Sequence, residues 1–126
     1  MRVLIGDDDM FMRSFLRKVL EEESCEVEIV ESGSEVIRRI LRQKFDLLFL
    51  DIYMGGMDGI EAIPLIKEMD PQLPIVVITG DSSLQIKNKV QNLGVFGYLV
   101  KPLNLLEVKN MLRIVPSRSE LKHAAR

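Results

Sequence analysis

Apolar residues in this chain gather in short runs. Val3-Leu4-Ile5-Gly6, Leu47-Leu48-Phe49-Leu50, Ile75-Val76-Val77-Ile78 and Tyr98-Leu99-Val100 are nearly free of polar side chains. Between them, apolar residues recur at helical spacing. A strand with apolar residues on both faces must be covered on both sides, and strands separated by amphipathic helices build parallel sheets from βα units. The expected class is therefore α/β, a single (βα)5 doubly wound parallel sheet. Its strands are expected at Arg2–Gly6, Glu26–Val30, Asp46–Leu50, Pro74–Thr79 and Phe96–Val100. In the second, Glu26 and Glu28 alternate with Val27 and Ile29, the pattern of a half-exposed edge strand.

Helices are expected at Ser34–Gln43, Gly59–Met69, Ser83–Leu93 and Leu105–Val115, punctuated by Asp70-Pro71, Gly80, Gly94 and Pro102. A first helix, with Asp9 as its cap, is expected to carry Phe11, Phe15, Leu16, Val19 and Leu20 on one buried stripe. The 126 residues fit one domain, expected over 1–116, with 47% hydrophobic content to form its core. Residues 117–126 are polar and read as a tail or linker stub, in which His123 stands alone. Seventeen basic against nineteen acidic residues leave a net charge of −2, so nucleic-acid binding is not indicated. No apolar run approaches the roughly 18 to 20 residues of a membrane span, and the start leads into a strand and acids rather than a signal peptide. The single cysteine, Cys25, has no internal disulfide partner and reads as packing. A cytoplasmic location is the expectation.

Polar residues follow these runs: Asp7 and Asp8 after Gly6, Asp51 after Leu50, Thr79 after Ile78 and Lys101 after Val100. Strand carboxyl ends share one edge of an open parallel sheet, where ligands bind at the topological switch point. Each residue has an ordinary reading. Asp7-Asp8-Asp9 serves as an acidic helix cap, Asp51 as a loop residue, Thr79 as a strand former and Lys101-Pro102 as a turn. Yet capping employs one acid of three, and Asp51 ends the most apolar stretch, where an unbalanced charge is costly. Three neighbouring carboxylates repel one another and call for a cation, and Mg²⁺ prefers such oxygen ligands. A carboxylate, an acidic pair, a hydroxyl and an ammonium are together the parts that stabilise a phosphoryl group during transfer.

In this order the chain resembles the receiver domain of bacterial two-component response regulators, over Arg2 to about Val115. The resemblance rests on Val3-Leu4-Ile5-Gly6-Asp7-Asp8-Asp9, Phe45-Asp46-Leu47-Leu48-Phe49-Leu50-Asp51-Ile52, Met57-Asp58-Gly59, Val77-Ile78-Thr79-Gly80 and Gly97-Tyr98-Leu99-Val100-Lys101-Pro102. It implies a flavodoxin-like fold with strand order 2-1-3-4-5. It also implies that Asp51 is the phosphoacceptor, attacking a kinase phosphohistidine to form an acyl phosphate. Asp8, Asp51 and the Tyr53 backbone carbonyl would ligate Mg²⁺, or Mn²⁺ in its place, with Asp7 acting through water. Thr79 and Lys101 would contact phosphoryl oxygens. Tyr98 would turn inward with Thr79 and reshape the face of the fourth helix, fifth strand and fifth helix. A static, half-buried Tyr98 is the alternative. The implied partners are a sensor histidine kinase or phosphotransfer protein, and a downstream protein or an output domain of the same chain. The domain would be a monomer or a phosphorylation-linked dimer, catalysing only its own phosphorylation and dephosphorylation.

Several positions depart from that family. Gly55 stands where a proline is usual, so Met54-Gly55-Gly56-Met57 is expected to be a more mobile loop; Met10 replaces a helix-opening proline, and Gly6 a β-branched residue. Tyr53 and Asp81 occupy positions that tune phosphoryl loss in the family, and Phe96 is either core or an exposed contact. Two other functions fit the fold. A haloacid-dehalogenase-like phosphatase normally has a second acid where this chain has Tyr53, and a flavin or nucleotide domain would need a glycine-rich loop after the first strand, which this chain lacks.

Overall fold

A computed structural model describes residues 1–54, 59–116 and 118. Five strands and five helices alternate: β1 (Arg2–Gly6), α1 (Met10–Glu22), β2 (Glu26–Val30), α2 (Gly33–Arg42), β3 (Leu47–Asp51), α3 (Gly59–Met69), β4 (Ile75–Thr79), α4 (Leu84–Asn92), β5 (Gly97–Val100) and α5 (Leu105–Ile114). The strands form one parallel sheet in the order β2-β1-β3-β4-β5, the flavodoxin-like doubly wound topology. β2 is the expected edge strand, with Glu26 and Glu28 paired to Arg2 and Arg39. The chain steps from β1 outward to β2, then back across to β3, so the switch point lies between β1 and β3.

Alternate residues of each central strand feed two cores. Val3, Ile5, Leu47, Phe49, Val76 and Ile78 pack with Leu16, Val19 and Leu20 of α1 and Val108 of α5. Leu4, Leu48, Leu50, Ile75 and Val77 pack on the opposite face with Val36 and Ile40 of α2, Ala62, Ile63 and Ile66 of α3, and Val90 of α4. Cover on both faces is why β3 and β4 read as unbroken apolar runs.

Side-chain caps set the helix starts. The Asp9 carboxylate accepts from the amides of Phe11 and Met12 at 2.9 and 3.3 Å, while Ser32, Ser83 and Asn104 cap α2, α4 and α5. Every expected strand boundary, and those of α2 to α5, lies within one residue of its observed place. The α1 stripe needs correction: Phe11 is 87% exposed, and the buried stripe begins at Leu16, with Met12 and Phe15 half-buried. The first turn of α1 starts at the carboxyl edge of β1, where the apolar surface of the sheet has ended. Cys25 is half-buried against the α1–α5 core, and burial raises its thiol pKa above the ordinary value, in keeping with packing. Phe96 is 42% exposed.

These burials predict opposite outcomes for two phenylalanines. Phe49→Ala is expected to cost about 3–5 kcal/mol in urea unfolding, whereas Phe11→Ala is expected to change stability by less than about 0.5 kcal/mol.

Candidate functional site

Asp51 is the last residue of β3, aligned with Ile78 of β4, and Asp7 directly follows β1. Both are buried, at 4% and 0% exposure, because the strands that carry them lie in the middle of the sheet. Thr79 ends β4 and is fully buried; Lys101 follows β5, its amide donating to the Thr79 carbonyl at 2.8 Å. Asp8 is exposed at the rim. The structure thus brings Asp7, Asp8, Asp51, Thr79 and Lys101 to one edge, as the run-end pattern predicts.

The Lys101 ammonium links the two buried acids. Its Nζ donates to Asp51 Oδ2 at 2.9 Å and lies 3.2 Å from Asp7 Oδ2. Asp51 Oδ1 accepts from the Tyr53 amide at 2.9 Å, and Asp7 Oδ1 from the Asp9 amide at 2.8 Å. Asp7 Oδ2 is different. Its contact with Lys101 is an ion pair without hydrogen-bond alignment, leaving it the one buried side-chain polar atom among the described residues that has no hydrogen-bond partner. Burial, together with the Asp51 charge, raises the Asp7 pKa above the ordinary carboxylate value, against the lowering effects of the Asp9 amide and Lys101. For Lys101, burial alone would lower the ammonium pKa. The hydrogen bond and charge of Asp51, with those of Asp7, outweigh it and hold the pKa above the usual lysine value.

Carboxylate oxygens of Asp7, Asp8 and Asp51 lie within 4.8 Å of one another. Three acids facing one ammonium leave excess negative charge, and hard oxygen donors at this spacing suit a divalent cation. The orphaned Asp7 Oδ2 fits that reading, since a cation or its water would satisfy it.

A second set of bonds crosses the rim. The Thr79 hydroxyl oxygen accepts from the Asp81 amide at 3.0 Å, and the Asp81 carbonyl accepts from the Tyr98 hydroxyl. The Asp81 carboxylate accepts from the Tyr53 hydroxyl at 3.2 Å and from the Ser83 amide at 2.8 Å. The Ser83 bonds, joined by the one from Tyr53, lower the Asp81 pKa, while burial and the Asp81 charge raise that of Tyr98. Tyr98 is half-buried against the α2–α4 core. Sequence reasoning singled out Tyr53, Asp81 and Tyr98 but missed that they are joined, because the bonds link two loops and a strand 28 and 17 positions apart.

Gly59 explains the close approach of α3 to this edge: a Cβ there would lie 2.6 Å from Ile52 Cα and 2.8 Å from the Asp51 carbonyl oxygen. At Gly6 a Cβ would meet Val36 at 2.7 Å, on the α2 side of the sheet. Gly55, Gly56, Met57 and Asp58, including the expected mobile loop, lie outside the described residues, as does His123.

The model of the response regulator receiver domain matches residues 3–113. The chain is 35% identical to the transcriptional regulatory protein GlnL of Bacillus subtilis over 98% of its own length and 40% of that protein's, so it spans well under half of this relative. Its fold matches a CheY-like response regulator receiver domain protein of Methanospirillum hungatei, with a TM-score of 0.84, 29% identity and coverage of 89% of this chain and 90% of that one. It also matches the response regulator protein TrrA of Thermotoga maritima, solved in complex with Mg(2+)-BeF, with a TM-score of 0.82, 28% identity and coverage of 91% and 98%. Sheet order, strand-end residues and these similarities agree: the chain belongs to the response regulator receiver domain family, the phosphoacceptor switch of two-component signalling.

Proposed function

We propose that Asp51 is the phosphoacceptor of this domain. The observation that carries the reading is the Asp51 carboxylate at the end of β3, one oxygen held by the Tyr53 amide and the other by Lys101, beside Asp7 and Asp8. An Asp51 oxygen attacks the phosphorus of a phosphohistidine on a sensor histidine kinase or phosphotransfer protein. The P–N bond breaks, its electron pair returns to the imidazole, and an acyl phosphate forms. Asp7, Asp8, Asp51 and the Tyr53 carbonyl would hold Mg²⁺, or Mn²⁺ in its place. Such an ion, when bound, offsets the repulsion between an anionic nucleophile and an anionic phosphoryl donor. The TrrA complex with Mg(2+)-BeF supports a divalent ion here by similarity.

Lys101 then transfers its contact from the Asp51 carboxylate to a phosphoryl oxygen, and the Thr79 hydroxyl donates to another. Because the Thr79 oxygen is bonded to the Asp81 amide, and the Asp81 carbonyl to Tyr98, movement of Thr79 draws on the same segment that holds Tyr98 inward. Phosphorylation adds close to two negative charges and thereby biases the face formed by α4, β5 and α5. That face is read by a downstream protein, by an output domain of a longer chain or by a second copy. We read the domain as a switch rather than a turnover enzyme, acting in the cytoplasm without contacting nucleic acid or a membrane. No helix among the described residues is long and apolar enough to cross a membrane.

The direct test is intact mass after incubation with Mg²⁺ and acetyl phosphate or phosphoramidate. Wild type is expected to gain one phosphoryl group, lost on chelation of the metal beforehand and absent from Asp51→Asn; an unmodified wild type would overturn the reading. Tyr53 stands two residues after Asp51 and bonds to Asp81 across the rim, so Tyr53→Ala is expected to change the acyl-phosphate lifetime roughly fivefold, the effect of about 1 kcal/mol. Equal decay rates would count against it. Asp7→Asn removes a buried charge beside Asp51, so the metal-free protein is expected to melt about 4 °C higher, as for roughly 1 kcal/mol, while losing most of the Mg²⁺-induced rise in Tm.

A further inference from the structure

At the opposite pole of the sheet, beneath the amino ends of the strands, lies a buried carboxylate whose partner comes from beyond α5. Asp70 follows α3 and is 5% exposed. Its backbone is tied on both sides, the amide donating to the Ile66 carbonyl at 2.8 Å and the carbonyl accepting from the Leu73 amide at 3.2 Å. The Arg118 guanidinium covers both of its carboxylate oxygens, with Nη1 donating to Oδ1 at 3.3 Å and Nη2 to Oδ2. Nε of the same group donates to the Phe45 carbonyl at 2.7 Å. One side chain therefore joins the α3–β4 turn to the α2–β3 connection, and it is itself only 18% exposed.

We propose that Arg118 is a strap across the amino-terminal pole of the sheet, which extends the folded unit past α5. Among the described residues Arg118 is the cation paired with Asp70. A domain ending at α5 would strip the Asp70 carboxylate of the guanidinium that covers both of its oxygens and the Phe45 carbonyl of its donor, and a charge-assisted bidentate pair is among the stronger contacts a side chain makes. The planar fork of arginine is suited to serve two carboxylate oxygens and a carbonyl at once, which a lysine ammonium does not reproduce. Val115, buried at the end of α5, and Pro116, which cannot continue the helix, turn the chain toward this pole. β3 separates Phe45 from Asp51 by roughly 20 Å at its rise per residue. The strap thus lies at the pole of the sheet opposite Asp51.

Thermal melting of the full chain tests this independently of the phosphoacceptor reading. Arg118→Ala is expected to lower Tm by roughly 10 °C, and Arg118→Lys to recover less than half of that loss. Asp70→Asn placed in the Arg118→Ala background is expected to restore most of it, since the orphaned charge is then gone. An unchanged Tm for Arg118→Ala overturns the proposal, as does a double variant that loses the sum of the two single effects. Should Arg118→Ala not fold, a folded double variant supports the strap and an unfolded one refutes it.

Discussion

The Lys101 ammonium, set between Asp51 and Asp7, is the interaction on which the functional edge depends. Two buried carboxylates on adjacent strands would repel each other in a medium that screens poorly, and Asp8 adds a third charge at the rim. One ammonium cannot balance three acids. The edge is therefore left short of positive charge, and this deficit, together with the unsatisfied Asp7 oxygen, suits a divalent cation. The apolar strands hold the acids in place, since β1 and β3 are buried on both faces and cannot shift to relax the repulsion without disturbing two cores.

Around this charge cluster the loops are joined rather than independent. Asp81 bonds through its amide to Thr79, through its carbonyl to Tyr98, and through its carboxylate to Tyr53 and the cap of α4. A change in the partner of the Thr79 hydroxyl is felt by the same residue that holds Tyr98 inward. These bonds form a continuous chain from Thr79 at the acidic edge to Tyr98 of β5.

The two poles of the sheet solve the same electrostatic problem differently. At the carboxyl edge the acids outnumber the cation, which suits a site that must accept a ligand. At the amino edge Asp70 is matched by a bidentate guanidinium, which suits closure. Excess charge marks the reactive end, and balanced charge the structural one.

Much of this was legible in the chain itself. The unbroken apolar runs dictated strands covered on both faces, the Glu26 and Glu28 alternation marked the edge strand, and the polar residues after each run identified the edge where chemistry gathers, because strand ends in a parallel sheet point the same way. Local rules reached no further. Phe11 fits the helical stripe by spacing yet lies beyond the sheet that would bury it, and Arg118 reads as part of a polar tail although it pairs with a residue 48 positions away. Sequence alone determined which residues form strands and helices and which side chains stand at strand ends, since periodicity and capping act over a few residues. Only the tertiary structure decided that Lys101 bridges Asp7 and Asp51, that Asp81 joins Tyr53 to Tyr98 and that Asp70 is buried with Arg118, since burial and ion pairing depend on what the whole chain brings close.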